Sequence, residues 1–274
     1  MVLPVVACPD GTPSDAVTAR WAAREALLRR APLVLLGVAP AGSTSGREDG
    51  LPARLRLLAT DLPRSFPGVS VTVRTAAGPP GPVLVAASAE TDLLVLAAGP
   101  PEQPAGAAPG AVTAAAATVA ARAHCPVALL RVHLPQGVVP PFDIVLGSVD
   151  GRIDAVTAEF AFRLADERGA RLAVESPGTA GSDGAGPANG DEDDLDGLDG
   201  LLNGMQEKFP SVRVARRPGT GDPEEQLLRA AQQASVLVLG VERGRRGAAA
   251  PAAPGLQRIL DLAPGPVALV PHDA

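Results

Sequence analysis

Tyrosine is absent from this chain of 274 residues, tryptophan occurs once, and aromatics total 2%. Lysine is nearly absent too, with Lys208 alone among 24 basic residues. The composition leans to alanine, glycine, proline and arginine, as GC-rich coding produces, so a lone Arg or Gly says little about function. Two cysteines, Cys8 and Cys125, cannot make a disulfide framework, which points to a reducing, cytoplasmic setting. No apolar run reaches the roughly 20 residues of a membrane span. The opening Met1–Cys8 carries no basic stretch, so no signal peptide is expected. Positive charge is also short. The formal net charge is −6, and the six acids between Asp191 and Asp199 could supply all of it. A nucleic-acid binder with a basic face is therefore not expected. The chain shows no HExxH, no Walker loop and no nucleophile–base pair, so no enzyme active site is visible.

What is present suffices for folding. The apolar fraction is 46% and the mean hydropathy +0.17, enough to fill real cores. The length suggests two domains, and the chain repeats itself. Cys125-Pro-Val-Ala-Leu-Leu130 recurs as Gly265-Pro-Val-Ala-Leu-Val270, and Val6-Ala-Cys-Pro-Asp10-Gly11 in outline as Leu146-Gly-Ser-Val-Asp150-Gly151. Phe66-Pro-Gly-Val-Ser-Val71 returns as Phe209-Pro-Ser-Val-Arg-Val214, and Leu93-Leu-Val-Leu96 as Val236-Leu-Val-Leu239. The order is kept and the offset drifts only slightly. Units this long are not solenoid repeats; they read as two homologous domains, 1–134 and 140–274.

Each half alternates short apolar runs with helical stretches. In the first, 3–8, 33–38, 69–74, 93–98 and 127–132 are continuous Val/Leu runs, suited to strands buried on both faces of a parallel sheet. Helices are expected over 14–30, 54–62, 82–89 and 111–123, the first with Val17, Trp21, Leu27 and Leu28 along one stripe. The second half repeats this with helices over 154–168, 195–209, 223–233 and 256–262. Such alternation specifies an α/β sheet with right-handed crossovers. An acidic, Gly/Ser-rich insertion at about 176–200 breaks the rhythm and is expected to be mobile, its acids either a solvated loop running into a helix N-terminus or a cation site lacking EF-hand spacing.

With this layout in view, the sequence resembles the universal stress protein family in tandem form. The resemblance rests on Asp10-Gly11-Thr12 and Asp150-Gly151 after each first strand, and on the helix Ala19-Arg-Trp-Ala-Ala-Arg-Glu-Ala26. It rests also on the fourth strand running to Gly99 and on the closing Cys125-Pro-Val-Ala-Leu-Leu. It implies two Rossmann-like domains, each a five-stranded parallel sheet in the order 3-2-1-4-5. It also implies an adenine-nucleotide cleft at the carboxyl ends of strands one and four, where strand order reverses. Pairing of the two fifth strands within the chain is implied as well. Those strands are apolar edges that need covering.

Nucleotide-binding members carry Gly-x2-Gly-x9-Gly-[Ser/Thr] after strand four, and both halves depart from it. From Gly99 the second glycine falls on Glu102 and the third on Val112, leaving Thr113 as the hydroxyl. Pro100 and Pro101 remove two N–H donors. From Gly240 the loop reaches Gly244 one residue late, and Gly255 is followed by Leu256 where the hydroxyl belongs. Arg243, Arg245 and Arg246 could grip phosphate by charge, or form a solvated loop. Asp10 and Asp150 would hold base or ribose, or simply make Asp-Gly turns. His124, His133 and His272 show no ligand spacing and no nearby carboxylate. The expectation is a non-enzymatic stress-response or regulatory module with degenerate clefts and other proteins as partners. The alternative is an ATP or AMP sensor, or slow ATPase, acting weakly with Mg through the second half.

Overall fold

The structure, a computed structural model, describes residues 2–9, 15–39, 50–98, 111–131, 143–176, 191–218, 222–243 and 254–273. They form two compact units. The first holds β1 (Val5–Cys8), α1 (Asp15–Leu28), β2 (Leu33–Ala39), α2 (Leu51–Ser65), β3 (Val71–Ala77), α3 (Pro80–Ser88), β4 (Leu93–Ala98), α4 (Ala111–Ala120) and β5 (Val127–Arg131). Its strands are all parallel, in the order β3-β2-β1-β4-β5. The second holds β6 (Asp143–Gly147), α5 (Ala155–Arg168), β7 (Arg171–Ser176), α6 (Asp191–Lys208), β8 (Val214–Pro218), α7 (Pro223–Ala231), β9 (Ala234–Glu242), α8 (Pro254–Leu262) and β10 (Val267–His272). Its order, β8-β7-β6-β9-β10, is the same pattern. Each half is the expected five-stranded Rossmann-like sheet.

The central strands owe their burial to apolar runs. Val5, Ala7, Ile144, Leu146 and Val236 to Leu239 are essentially inaccessible, as parallel strands covered on both faces must be. The run expected over 69–74 behaves differently. β3 starts two residues later, at the rim of its sheet, and none of its seven residues is buried; Thr72, Arg74 and Thr75 are exposed. An edge strand has one neighbour and needs no continuous apolar run.

Helix α1 corrects the expected stripe. Ala19, Ala22, Ala23 and Ala26 are buried, while Val17, Trp21, Leu27 and Leu28 are only partly so. Small side chains bring the helix close to the sheet, and the larger ones flank the contact. Helix α2 starts three residues before the expected Arg54, because Pro52 falls in the first turn, where no N–H partner is needed. Helix α5 is capped at both ends. Asp154 accepts from the N–H groups of Val156 and Thr157, and Gly169 takes a left-handed φ of 59° beyond the last turn.

The acidic block belongs to a helix. Residues 177–190 lie outside the described residues, and α6 begins at Asp191, four residues before the expected start at Leu195. Further along, Leu202 is fully buried and Lys208 pairs with Glu159 at 2.7 Å. Those contacts dock the helix. Phe209, just beyond α6, meets Phe162 of α5 at 6.0 Å between ring centroids.

Candidate functional site

In open parallel sheets the ligand crevice lies outside the carboxyl ends of the strands where their order reverses. In the second unit that place is between β6 and β9. Four segments reach it: the turn after β6, the N-terminus of α5, the end of β9 with the neighbouring end of β10, and the starts of α7 and α8.

Asp150 occupies the turn after β6. Its carboxylate accepts from the Ser148 hydroxyl and, at 3.1 Å, from the Arg152 N–H, and Gly151 has a φ of 86°. This is the Asp-Gly turn, with the side chain engaged locally and exposed. Asp154 follows as the cap of α5. One carboxylate oxygen takes the two helix N–H groups, and the other accepts from the Thr157 hydroxyl at 2.5 Å. His272, the last residue of β10, places Nε2 3.6 Å from that second oxygen. The sequence reading gave His272 no carboxylate partner; the fold supplies one, 118 positions away, by ending β10 beside α5.

Gly240 explains why these groups can meet. A Cβ there would lie 3.0 Å from Asp154 Oδ2, 3.0 Å from Thr157 Oγ1 and 3.1 Å from His272 Nε2. The space left by the missing side chain is taken by the chain's own polar groups. Gly255, in the first turn of α8, is similar. Its Cβ would fall 2.5 Å from Glu224 Oε1 and 2.8 Å from Val149 Cγ1. Glu224 sits in the first turn of α7, and its N–H donates to the cap residue Asp222 at 3.2 Å. Arg258 donates to Glu224 Oε2 at 3.1 Å and approaches Asp222 at 3.7 Å.

The remaining expected residues are less fully placed. Arg243 directly follows β9 and is half-buried. Gly244, Arg245 and Arg246 lie outside the described residues, as do Asp10, Gly99 and Glu102 in the first half. Thr113 belongs to the backbone of α4, but its side chain lies outside what is described. Asp154, Thr157, Glu224 and Arg258 were missed by the sequence reading. Asp222-Pro-Glu is a readable helix start, with a cap, Pro at the first position and acids after it, yet nothing local shows that it meets Gly255.

The thiols are free and dissimilar. Burial pushes the Cys125 thiol up to about 12, with a backbone hydrogen bond at Leu94 working against this and the Asp92 charge adding to it. At neutral pH it is a protonated packing group. Cys8, at the end of β1, is only partly buried. Among the described residues there is no group of three or more His, Cys, Asp or Glu that could hold a metal ion, and no helix is long and apolar enough to cross a membrane.

The fold and the repeat agree with comparisons to known proteins. The model of the universal stress protein family matches residues 1–131. A universal stress protein structure from Archaeoglobus fulgidus DSM 4304 superposes with a TM-score of 0.67 at 14% identity, covering 100% of this chain and 97% of that one. A structure assigned to the same family from Pseudomonas aeruginosa UCBPP-PA14 gives 0.58 at 17% identity, covering 98% and 93%. The cytoplasmic domain of a prokaryotic cation chloride cotransporter shares the fold at 0.53 and 12% identity, covering 98% and 95%. No curated protein sequence matches significantly. Residues 1–131, the first of the two units, match the universal stress protein family, and the second unit repeats that unit's motifs and strand order.

Proposed function

We propose that the chain is a stress-response module that works by regulation rather than catalysis, with domains at 1–134 and 140–274 and nucleotide clefts that have lost most of their affinity. One observation carries this reading. At Gly240 and Gly255, where backbone would have to approach a phosphate, the chain's own Asp154, Thr157, His272 and Glu224 stand instead. Two of these are carboxylates. In the first half, Glu102 and the Pro100-Pro101 pair act in the same direction. Each lost donor or added like charge weakens phosphate binding by about 1–3 kcal/mol. Two or three such losses move a micromolar site toward millimolar. Calorimetric titration with Mg-ATP should therefore show binding weaker than about 10 μM, and tighter binding overturns the reading. Triple substitution of Arg243, Arg245 and Arg246 by alanine should weaken residual binding, since these arginines supply part of the phosphate contact that remains.

The second reading is an ATP or AMP sensor, or slow ATPase, acting through the second half. The starts of α5, α7 and α8 lie beside the carboxyl ends of β6 and β9, and helix N-termini favour anions. Mass spectrometry of the purified protein separates the two, because stoichiometric co-purified nucleotide supports the sensor and sinks the first reading.

The partners we propose are other proteins, in a cytoplasmic setting. We further propose that the two fifth strands cover one another within the chain, since each is an apolar strand with a free edge in its own sheet order. Light scattering should then give the mass of one chain, 27.6 kDa. A stable dimer would show that the fifth strands pair between chains instead.

A further inference from the structure

We propose that Glu224 is a built-in substitute for a ligand's anionic group, closing the second half's crevice to anions with the chain's own carboxylate. The proposal rests on the degenerate-cleft reading and names the residue that enforces it. The first turn of a helix exposes unpaired N–H groups and the positive end of the dipole, so its favoured neighbour is an anion. At the start of α8 that neighbour is Glu224. One carboxylate oxygen lies 2.5 Å from the Cβ position of Gly255 and the carboxyl carbon 3.0 Å from it. Only a residue without a side chain admits the carboxylate there.

The placement is braced. Arg258, one turn along α8, donates to the other carboxylate oxygen at 3.1 Å and lies 3.7 Å from Asp222. The Glu224 side chain is 27% exposed against 47% for Arg258, so the carboxylate is the more enclosed partner. Asp222 caps α7 through the N–H of Glu224, which fixes the backbone carrying the carboxylate. Across the crevice, Asp154 Oδ2 lies 3.0 Å from the Cβ position of Gly240. An incoming phosphate would meet carboxylates at both glycines, and the Arg258 guanidinium is already engaged by Glu224. Like charges at such distances repel strongly away from bulk water. The crevice is thus closed by charge and occupancy together.

The test is calorimetric titration of the full chain with ATP, AMP and inorganic phosphate, on wild type, Glu224→Gln, Glu224→Ala and Glu224→Gln/Arg258→Gln. Glu224→Gln keeps size and helix position but removes the charge, and should bind ATP about tenfold or more tighter than wild type. Glu224→Ala should gain at least as much. Adding Arg258→Gln should cancel the gain, because the guanidinium released from Glu224 is what engages the phosphate. If both single variants bind no better than a weakly binding wild type, the closure is refuted while the degenerate-cleft reading stands. If only the alanine variant gains, bulk rather than charge closes the crevice and the proposal fails. If wild type itself binds at micromolar concentration, the underlying reading fails. Thermal melting of each variant confirms folding, and Glu224→Gln, which truncates nothing, decides the case should the alanine variant unfold.

Discussion

Replacing Arg29 by methionine should lower the unfolding free energy by about 3–5 kcal/mol, the range for removing one partner of a buried ion pair. The Arg29 side chain, just beyond α1, is 4% exposed. It donates to Asp92 at 2.6 Å and lies 4.0 Å from Glu25, whose side chain is wholly inaccessible. Asp92 immediately precedes β4 and donates its N–H to the Pro4 carbonyl, so the arginine ties the end of α1 to the entry of two central strands. Methionine keeps the bulk and apolar stem, which confines the loss to the charge. Glu25 and Asp92 then face each other's field without the guanidinium between them. Lysine should fall between, since it keeps the charge but not the fork that serves two carboxylates. Thermal unfolding should drop by roughly 10 °C for the methionine variant. A loss under about 1 kcal/mol would mean the carboxylates find other compensation and that this cation is not what satisfies them.

This network was invisible in the sequence, while the strands it joins were not. The central strands were legible because burial on both faces leaves a continuous apolar run that little else produces. The repeat gave the second half its reading at once. Legibility fell wherever a position is governed by one neighbour rather than two. β3 and β8 lie at sheet edges, so Arg74 and Arg216 are tolerated there and the apolar run ends early. In α1 the alanine-rich composition hid the packing face, since the alanines that touch the sheet look like those that do not. The acidic block misled differently. Asp and Gly disfavour a helix interior, and the burial of Leu202 outweighs that propensity.

The site was legible in its glycines and not in what fills them. Gly240 and Gly255 stood out because a known spacing predicts where backbone must approach closely. The groups beside them come from positions far away in sequence, in α5, α7 and β10. No local pattern links Asp154 to His272 or Glu224 to Gly255. A glycine position tells that something comes near the backbone, but ligand and side chain leave the same trace in sequence. Here two of those side chains, Asp154 and Glu224, carry the same sign of charge as the expected phosphate, which is the basis of the closure proposed above.

Asp154 joins fold and site most directly, and its removal should be costly. Asp154→Ala should lose about 2–4 kcal/mol of stability. Part is the helix cap, typically about 1 and up to 2 kcal/mol. The rest is the Thr157 hydroxyl, 1% exposed by residue, which loses its acceptor at about 1–3 kcal/mol. Asp154→Asn should stay within about 1 kcal/mol of wild type, because asparagine caps equally well and its amide can donate to the hydroxyl. A double-mutant cycle with Gly240→Ala tests the packing. Alone, that alanine places its methyl 3.0 Å from Asp154 Oδ2 and should destabilise. Combined with Asp154→Ala it is freed of the Asp154 contact while those with Thr157 and His272 remain, so the two losses should fall short of additive by about 0.5 kcal/mol or more. Strict additivity in chemical denaturation would show that Asp154 relaxes away from Gly240 at no cost and does not fill the crevice.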